Sequence, residues 1–184
     1  NTGDNEGVGY FKVSQKSGFR VSAARAFLRP AMRRPNLTVL THRQVSRAVF
    51  EGNRAVGLEL YADGRAEIVR GGRIVLSAGA INTPQILQLS GIGPGALLQE
   101  MGIPVIREAS VGENLQDHLD IIMNWKTRGL VTAFSATKGL RQLATGLNYL
   151  LRGQGLGRQQ FLESGAFVSS REGLSRPDVQ IHGV

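Results

Sequence analysis

Cysteine is absent from the 184 residues, which excludes disulfides, cysteine nucleophiles and thiolate-held metals. Either redox setting tolerates that absence, so it says little about compartment. Histidine is scarce: His42, His118 and His182 have no metal-ligand spacing, and no metal site is expected. No apolar run approaches the roughly 20 residues a membrane helix requires. Aromatic residues make up 6% of the chain and do not interleave with its arginines, so bases would find no stacking platform. The G-x-G-x-x-G spacing of a dinucleotide-binding turn is missing from residues 1–18. Gly153-Gln154-Gly155-Leu156-Gly157 imitates its start, but it follows a helical pattern instead of a strand and reads as a loop.

What is plentiful is positive charge. The formal net charge is +8, carried unevenly: residues 1–73 hold 13 basic and 6 acidic side chains, residues 74–184 hold 9 and 8. The arginines are spread from Arg20 to Arg73 without clustering, which fits a solvated face, or a surface that meets further polypeptide or phosphate groups. Nucleic acid is not expected as a partner; a real nucleic-acid function would show steep salt-dependent affinity.

Residues 1–7 read as a polar loop and Tyr10 to Val13 as a short extended piece. Ser22 caps an apolar-basic helix carrying Ala24, Phe27 and Leu28, with Pro30 near its end. From Leu37 the period falls to two. Strands are expected at Leu37–Thr41, Val45–Phe50, Ala55–Tyr61, Ala66–Arg70 and Arg73–Ser77, with turns at Gly52-Asn53 and Asp63-Gly64. This is an antiparallel meander flanked by strands of a larger sheet. Further on, Pro94–Met101 reads as a short helix, Ile103–Ile106 as extended, Asp120–Trp125 as a strand, Lys138–Arg152 as a helix, and Phe161–Ser169 and Val179–His182 as strands. The helix gathers Leu140, Leu143, Leu147, Tyr149, Leu150 and Leu151 into one broad apolar face. The fold class is α/β with α+β character, and a soft boundary falls near residue 116, giving domains 1–116 and 117–184.

The most specific stretch is Gly79–Gly93, GAINTPQILQLSGIG. An apolar strand, Arg73–Ala78, loses side-chain bulk as it ends, so a ligand or another backbone can come close. Thr83 then caps a helix with Pro84 in its first turn, Ile86, Leu87 and Leu89 on its buried face, and Gly91 as its stop. At Gly79, Ala80, Thr83, Pro84, Ile86, Leu87, Ser90, Gly91, Ile92 and Gly93 this stretch resembles the second signature of the glucose-methanol-choline oxidoreductases. The likeness continues in Arg20–Ala24, Arg34–Val39, Arg54–Gly57 and Val111–His118, and leans towards the choline dehydrogenase and alcohol dehydrogenase branch.

That resemblance implies an internal piece of a flavoenzyme that oxidises alcohols with FAD. Residues 1–116 would be part of a Rossmann-like FAD-binding domain, without its N-terminal glycine-rich unit, and 117–184 the start of a substrate domain of sheet and helix. The family's catalytic histidine lies near its C-terminus, so no catalytic residue is expected in this chain and the piece alone should be inactive. By resemblance Val45, Ser77, Ala78, Gly79 and Asn114 are the cofactor-binding candidates, and Glu163 aligns with a glutamate that binds the substrate cation in choline-oxidising relatives. Asp117 and His118 read as a satisfied turn network at the domain crossing, with a hydrogen-bonded pair between them as the alternative, and Trp125, Phe134 and Tyr149 are candidates for an aromatic wall, or for core. The substrate class implied is a primary alcohol, with the electron acceptor unspecified and the setting cytoplasmic, with or without peripheral membrane association. A non-catalytic binding or assembly module with a flavoprotein-derived fold is the alternative.

Overall fold

The computed structural model describes residues 5–126, 128, 132–158 and 164–183. Two compact units divide the chain: Asn1–Thr38 with Asn124–Val184, and Val39–Met123. The opening residues thus fold with the closing ones, although they stand beside 39–116 in sequence. The cause is long-range strand pairing, which a reading along the chain does not reveal.

The first unit begins with β1 (Gly7–Tyr10), then a small hairpin of β2 (Gln15–Lys16) and β3 (Phe19–Arg20). The Ser22 hydroxyl accepts a hydrogen bond from the Arg25 N–H at 3.3 Å, as a cap would. The turn it opens is wider than an α-turn: over Ala24–Leu28 the Arg29 N–H reaches back five residues to the Ala24 carbonyl. Pro30, in the first turn of α1 (Arg29–Ala31), has no N–H with which to close an α-turn onto Ala26, and the widened turn accommodates that. Leu37–Thr41, expected as a strand, has no ladder partner among the described residues.

The second unit opens with the meander. β4 (Gln44–Glu51), β5 (Arg54–Ala62) and β6 (Arg65–Arg70) pair antiparallel in that order, with the two turns where the sequence put them. The strand expected over Arg73–Ser77 is not formed. Its residues are unpaired, and Val75 is 75% exposed where a buried position was expected. A strand needs at least one neighbour to pair with, and the described residues supply none here.

α2 (Gly79–Leu89) starts five residues earlier than the Thr83 cap implied. Thr83 still serves the helix start, because its hydroxyl accepts from the Ala78 N–H at 3.0 Å. Pro84 lies inside the helix and cannot donate to the Ala80 carbonyl. Beyond the helix, Gly91 at φ +83° is held so close to the 104–106 segment that a Cβ would run into the Pro104 carbonyl. The Gly91 carbonyl accepts from the Ile106 and Arg107 N–H groups at 2.8 and 3.1 Å. This seats β7 (Ile92–Gly93) parallel to β8 (Arg107–Glu108), with α3 (Gly95–Glu100) between them. The Glu108 carboxylate accepts from the Gly95 N–H, satisfying an orphan donor at the first turn of α3. Ala48, Leu60, Ile86 and Leu98 form the core, Leu98 being 1% exposed.

Asp120–Trp125 is not a paired strand; Ile121, Ile122, Met123 and Trp125 are exposed. α4 (Ala133–Ala136) and α5 (Leu140–Arg152) follow, and Gly153 ends α5 in the left-handed region. After a 3₁₀ turn at Leu156–Arg158, β9 (Ser164–Val168) takes β1 on one edge and β10 (Val179–Gly183) on the other, both antiparallel. The mixed α/β content agrees with the expected class.

Candidate functional site

Ser77, Ala78 and Gly79 are all exposed. Gly79 has φ +91°, and a Cβ built on it would meet nothing within 4 Å. The corner therefore combines a backbone that an L side chain rarely adopts with open space beside it. Ala78, at the N-cap of α2, brings no side-chain cap, so bare main chain and the positive end of an eleven-residue helix face outwards together. These features fit a cofactor that lies against main chain.

Val45 is half-buried in β4, paired with Leu60, beside a bulge that leaves Ser46 without an opposite residue. The extra residue is put to use. The Ser46 hydroxyl donates to the Glu59 carboxylate at 2.8 Å, and Arg47 grips the same carboxylate through two nitrogens at 2.8 and 3.2 Å. The Arg47 guanidinium, followed by the Ser46 hydroxyl, holds the Glu59 carboxyl below its ordinary range, and Glu59 in turn raises Arg47. Two more arginines of the basic half are paired across the meander: Arg43 with Glu67 at 2.9 Å and Arg70 with Glu51 at 2.7 Å.

β4 lies at one edge of its sheet, and the end of α2 covers that edge. The buried Ser90 hydroxyl accepts from the Ala48 N–H at 2.7 Å and donates to the Ile86 carbonyl at 2.5 Å. Two residues before Ser90, the Gln88 amide donates to the Val111 carbonyl at 2.8 Å and lies against Gly112. Asn114, two residues on, takes φ +55°, a conformation asparagine tolerates better than most residues. So α2 is the common frame for the cofactor candidates. Gly79 stands at its first turn; the Val45 strand and the Asn114 loop are tied near its last, about 13 Å further along the axis.

Other expectations fare differently. Asp117 accepts from the backbone N–H of His118 at 2.7 Å, so its recorded bond goes to the main chain and not to the imidazole. Trp125, Phe134 and Tyr149 make no common wall: Trp125 is exposed, Phe134 lies under the Lys138 ammonium, and Tyr149 packs on Phe19 at 5.9 Å between ring centres. The His182 ring leans on Phe11 at 5.3 Å. Glu163 lies outside the described residues. Sequence reasoning assigned no role to Gln88, Ser90 or Glu108. Ser90 carried the only available signal, a fixed polar position in the Gly79–Gly93 stretch, whereas Gln88 and Glu108 show their roles only once loops are folded back on the helices.

The family model for GMC oxidoreductase matches residues 1–120. The chain is 42% identical over 179 residues to human mitochondrial choline dehydrogenase, covering 96% of this chain and 30% of that protein. It is 40% identical over 169 residues to an oxygen-dependent choline dehydrogenase of Paraburkholderia phymatum, covering 90% and 29%. Among solved structures, an FAD-dependent oxidoreductase from Chaetomium thermophilum superposes with a TM-score of 0.79 at 28% identity, over 91% of this chain and 31% of that one. The chain thus spans about 30% of the length of the relatives it matches. The α2 frame, the open corner at Gly79 and a family match over residues 1–120 agree: the chain belongs to the GMC oxidoreductase family.

Proposed function

We propose that this chain is the central portion of an enzyme that oxidises a primary alcohol, choline-like or aliphatic, to an aldehyde with FAD. The observation that carries the proposal is the corner at Gly79, where positive φ, missing bulk and empty space coincide beside a helix start. When bound, FAD accepts the carbinol hydride at its flavin N5, the hard step of the reaction. The residues of this chain bind and shape. Ser77, Ala78 and Gly79 offer main chain to the cofactor, the Val45 backbone meets it from β4, and Asn114 does so from the loop pinned by Gln88. Glu163 is assigned to the substrate cation because it aligns with a glutamate that binds that cation in choline-oxidising relatives, a carboxylate being the charge complement of a quaternary ammonium group. In this reading residues 1–116 serve the cofactor and 117–184 the substrate, the setting is cytoplasmic, with or without peripheral membrane association, and no group in the chain acts as the catalytic base. The chain alone therefore shows no turnover.

The test is Gly79→Val in the full-length protein. A β-branched residue at φ +91° is strained, and its branches fill space now empty, so the purified variant is expected to lose its yellow flavin absorbance. Full flavin occupancy in a folded variant overturns the assignment of this corner. A wild-type protein that carries no flavin and reduces no acceptor with choline or an aliphatic alcohol favours the alternative, a non-catalytic module.

A further inference from the structure

The Gln88 side chain runs through a gap that two glycines leave open. It leaves α2 across Gly93, where a Cβ would lie 3.1 Å from its Cγ, and ends against Gly112, where a Cβ would lie 2.8 Å from its amide nitrogen. A side chain at Gly112 would push the amide aside. In that place the half-buried amide donates to the Val111 carbonyl at 2.8 Å.

What it holds is the approach to Asn114. The Ala109 N–H bonds the Gly93 carbonyl at 3.1 Å and the Val111 N–H bonds the Ala109 carbonyl at 2.8 Å, so the chain is supported as far as residue 111. Beyond it the backbone turns through two positive φ angles, +90° at Gly112 and +55° at Asn114, and the β7–β8 ladder has already ended at Glu108. Among the described residues, no side chain other than Gln88 bonds the main chain of 109–116. Its bond falls on the last residue before the turn. Three residues span at most about 10 Å, so a rotation of about 20° at Val111 would move Asn114 by up to about 3 Å, enough to break a hydrogen bond. The base from which Gln88 reaches is itself fixed, because Ser90 ties the same helix end to Ala48 of β4, three residues from Val45.

We propose that Gln88 is a positioning residue for the cofactor: its amide locks the turn from Val111 to Asn114 in the form that presents Asn114 to FAD. This rests on the reading of Asn114 as a cofactor contact. Gln88 acts through the main chain of Val111 and Gly112.

The test is the rate at which FAD leaves the full-length holoenzyme, read from the fluorescence of the released flavin, in Gln88→Met, Asn114→Ala and the double variant. Methionine keeps the length of glutamine but has no N–H to donate. Each single variant is expected to release FAD about tenfold faster, and the double variant no more than about twofold faster than the quicker single one, since both remove the same contact. Gln88→Glu separates the hydrogen bond from packing. Its carboxylate repels the Val111 carbonyl, whereas its protonated form donates, so release is expected to be fast at about pH 8 and to slow towards the wild-type rate at about pH 5. Circular dichroism checks that each variant is folded; if Gln88→Met is not, the pH response of Gln88→Glu decides alone. Wild-type release from Gln88→Met beside fast release from Asn114→Ala overturns the positioning role and leaves the cofactor reading standing. Wild-type release from Asn114→Ala overturns that reading of Asn114 and the role of Gln88 with it. A roughly hundredfold effect in the double variant, or release from Gln88→Glu that ignores pH, also overturns the proposal, because Gln88 would then act independently of Asn114 or without its hydrogen bond.

Discussion

The meander with α2 and the segment around α5 deal with polar and apolar groups in opposite ways. Between 43 and 112, three arginine–glutamate pairs cross the strands, Ser90 closes the sheet edge, Glu108 holds the Gly95 N–H, and Leu98 is sealed. Around α5 the polar side of the helix makes the contacts and five leucines face outwards. The first region closes its interactions within one unit. The second presents a finished helix with its apolar side unclaimed, so its burial must come from something outside the described residues.

If this contrast is real, equal truncations in the two regions will have unequal effects. The largest is expected at Leu98→Ala, which leaves a cavity among α3, its flanking turns and Ile103, whose N–H bonds the Leu98 carbonyl at 2.8 Å. The expected loss is about 3 kcal/mol of unfolding free energy, measured by denaturant titration of the full-length protein. Ser90→Ala follows at about 2 kcal/mol, because the Ala48 N–H loses its acceptor at a buried edge. A loss near zero at Ser90 would mean that water reaches β4 and that α2 does not seal it.

The same contrast separates what was legible in the sequence from what was not. The two meander turns and β4 to β6 were readable because Gly52-Asn53 and Asp63-Gly64 join strands adjacent in the chain. Leu37–Thr41, Arg73–Ser77 and Asp120–Trp125 have strand-like composition, but composition does not provide a neighbour, and they stay unpaired among the described residues. The β1–β9 pairing was invisible for the reverse reason: Gly7–Tyr10 is short and unremarkable, and its partner lies more than 150 residues away. At the candidate site, the glycines and Ser90 could be read as a pattern. The Ser46 bulge, the Gln88 anchor and the positive φ of Asn114 depend on folded loops, and no local period encodes them.

A smaller effect tests the electrostatics of the closed region. The Glu59 carboxyl is held below its ordinary range by Arg47 and Ser46, so the folded state favours its ionised form. Its stabilisation is complete above the ordinary carboxylate range and is lost as pH falls through the lowered folded value. Because the pair lies near the surface, Glu59→Gln is expected to cost about 0.5 kcal/mol at neutral pH and nothing in acid. Stability curves of the two proteins should converge on acidification; a constant offset would assign the loss to packing.

The smallest expected effect is at Leu143→Ala, and it bears most directly on the comparison. The side chain is 62% exposed, so its removal opens no cavity and forfeits little transfer free energy, and stability should change by no more than about 0.5 kcal/mol. The same chemical change at Leu98 is expected to cost several times more. A Leu143→Ala loss approaching that of Leu98 would mean that further polypeptide covers the α5 face in the full-length protein. The leucines would then be core residues. A negligible loss would show that the α5 face stays uncovered in the full-length protein as well.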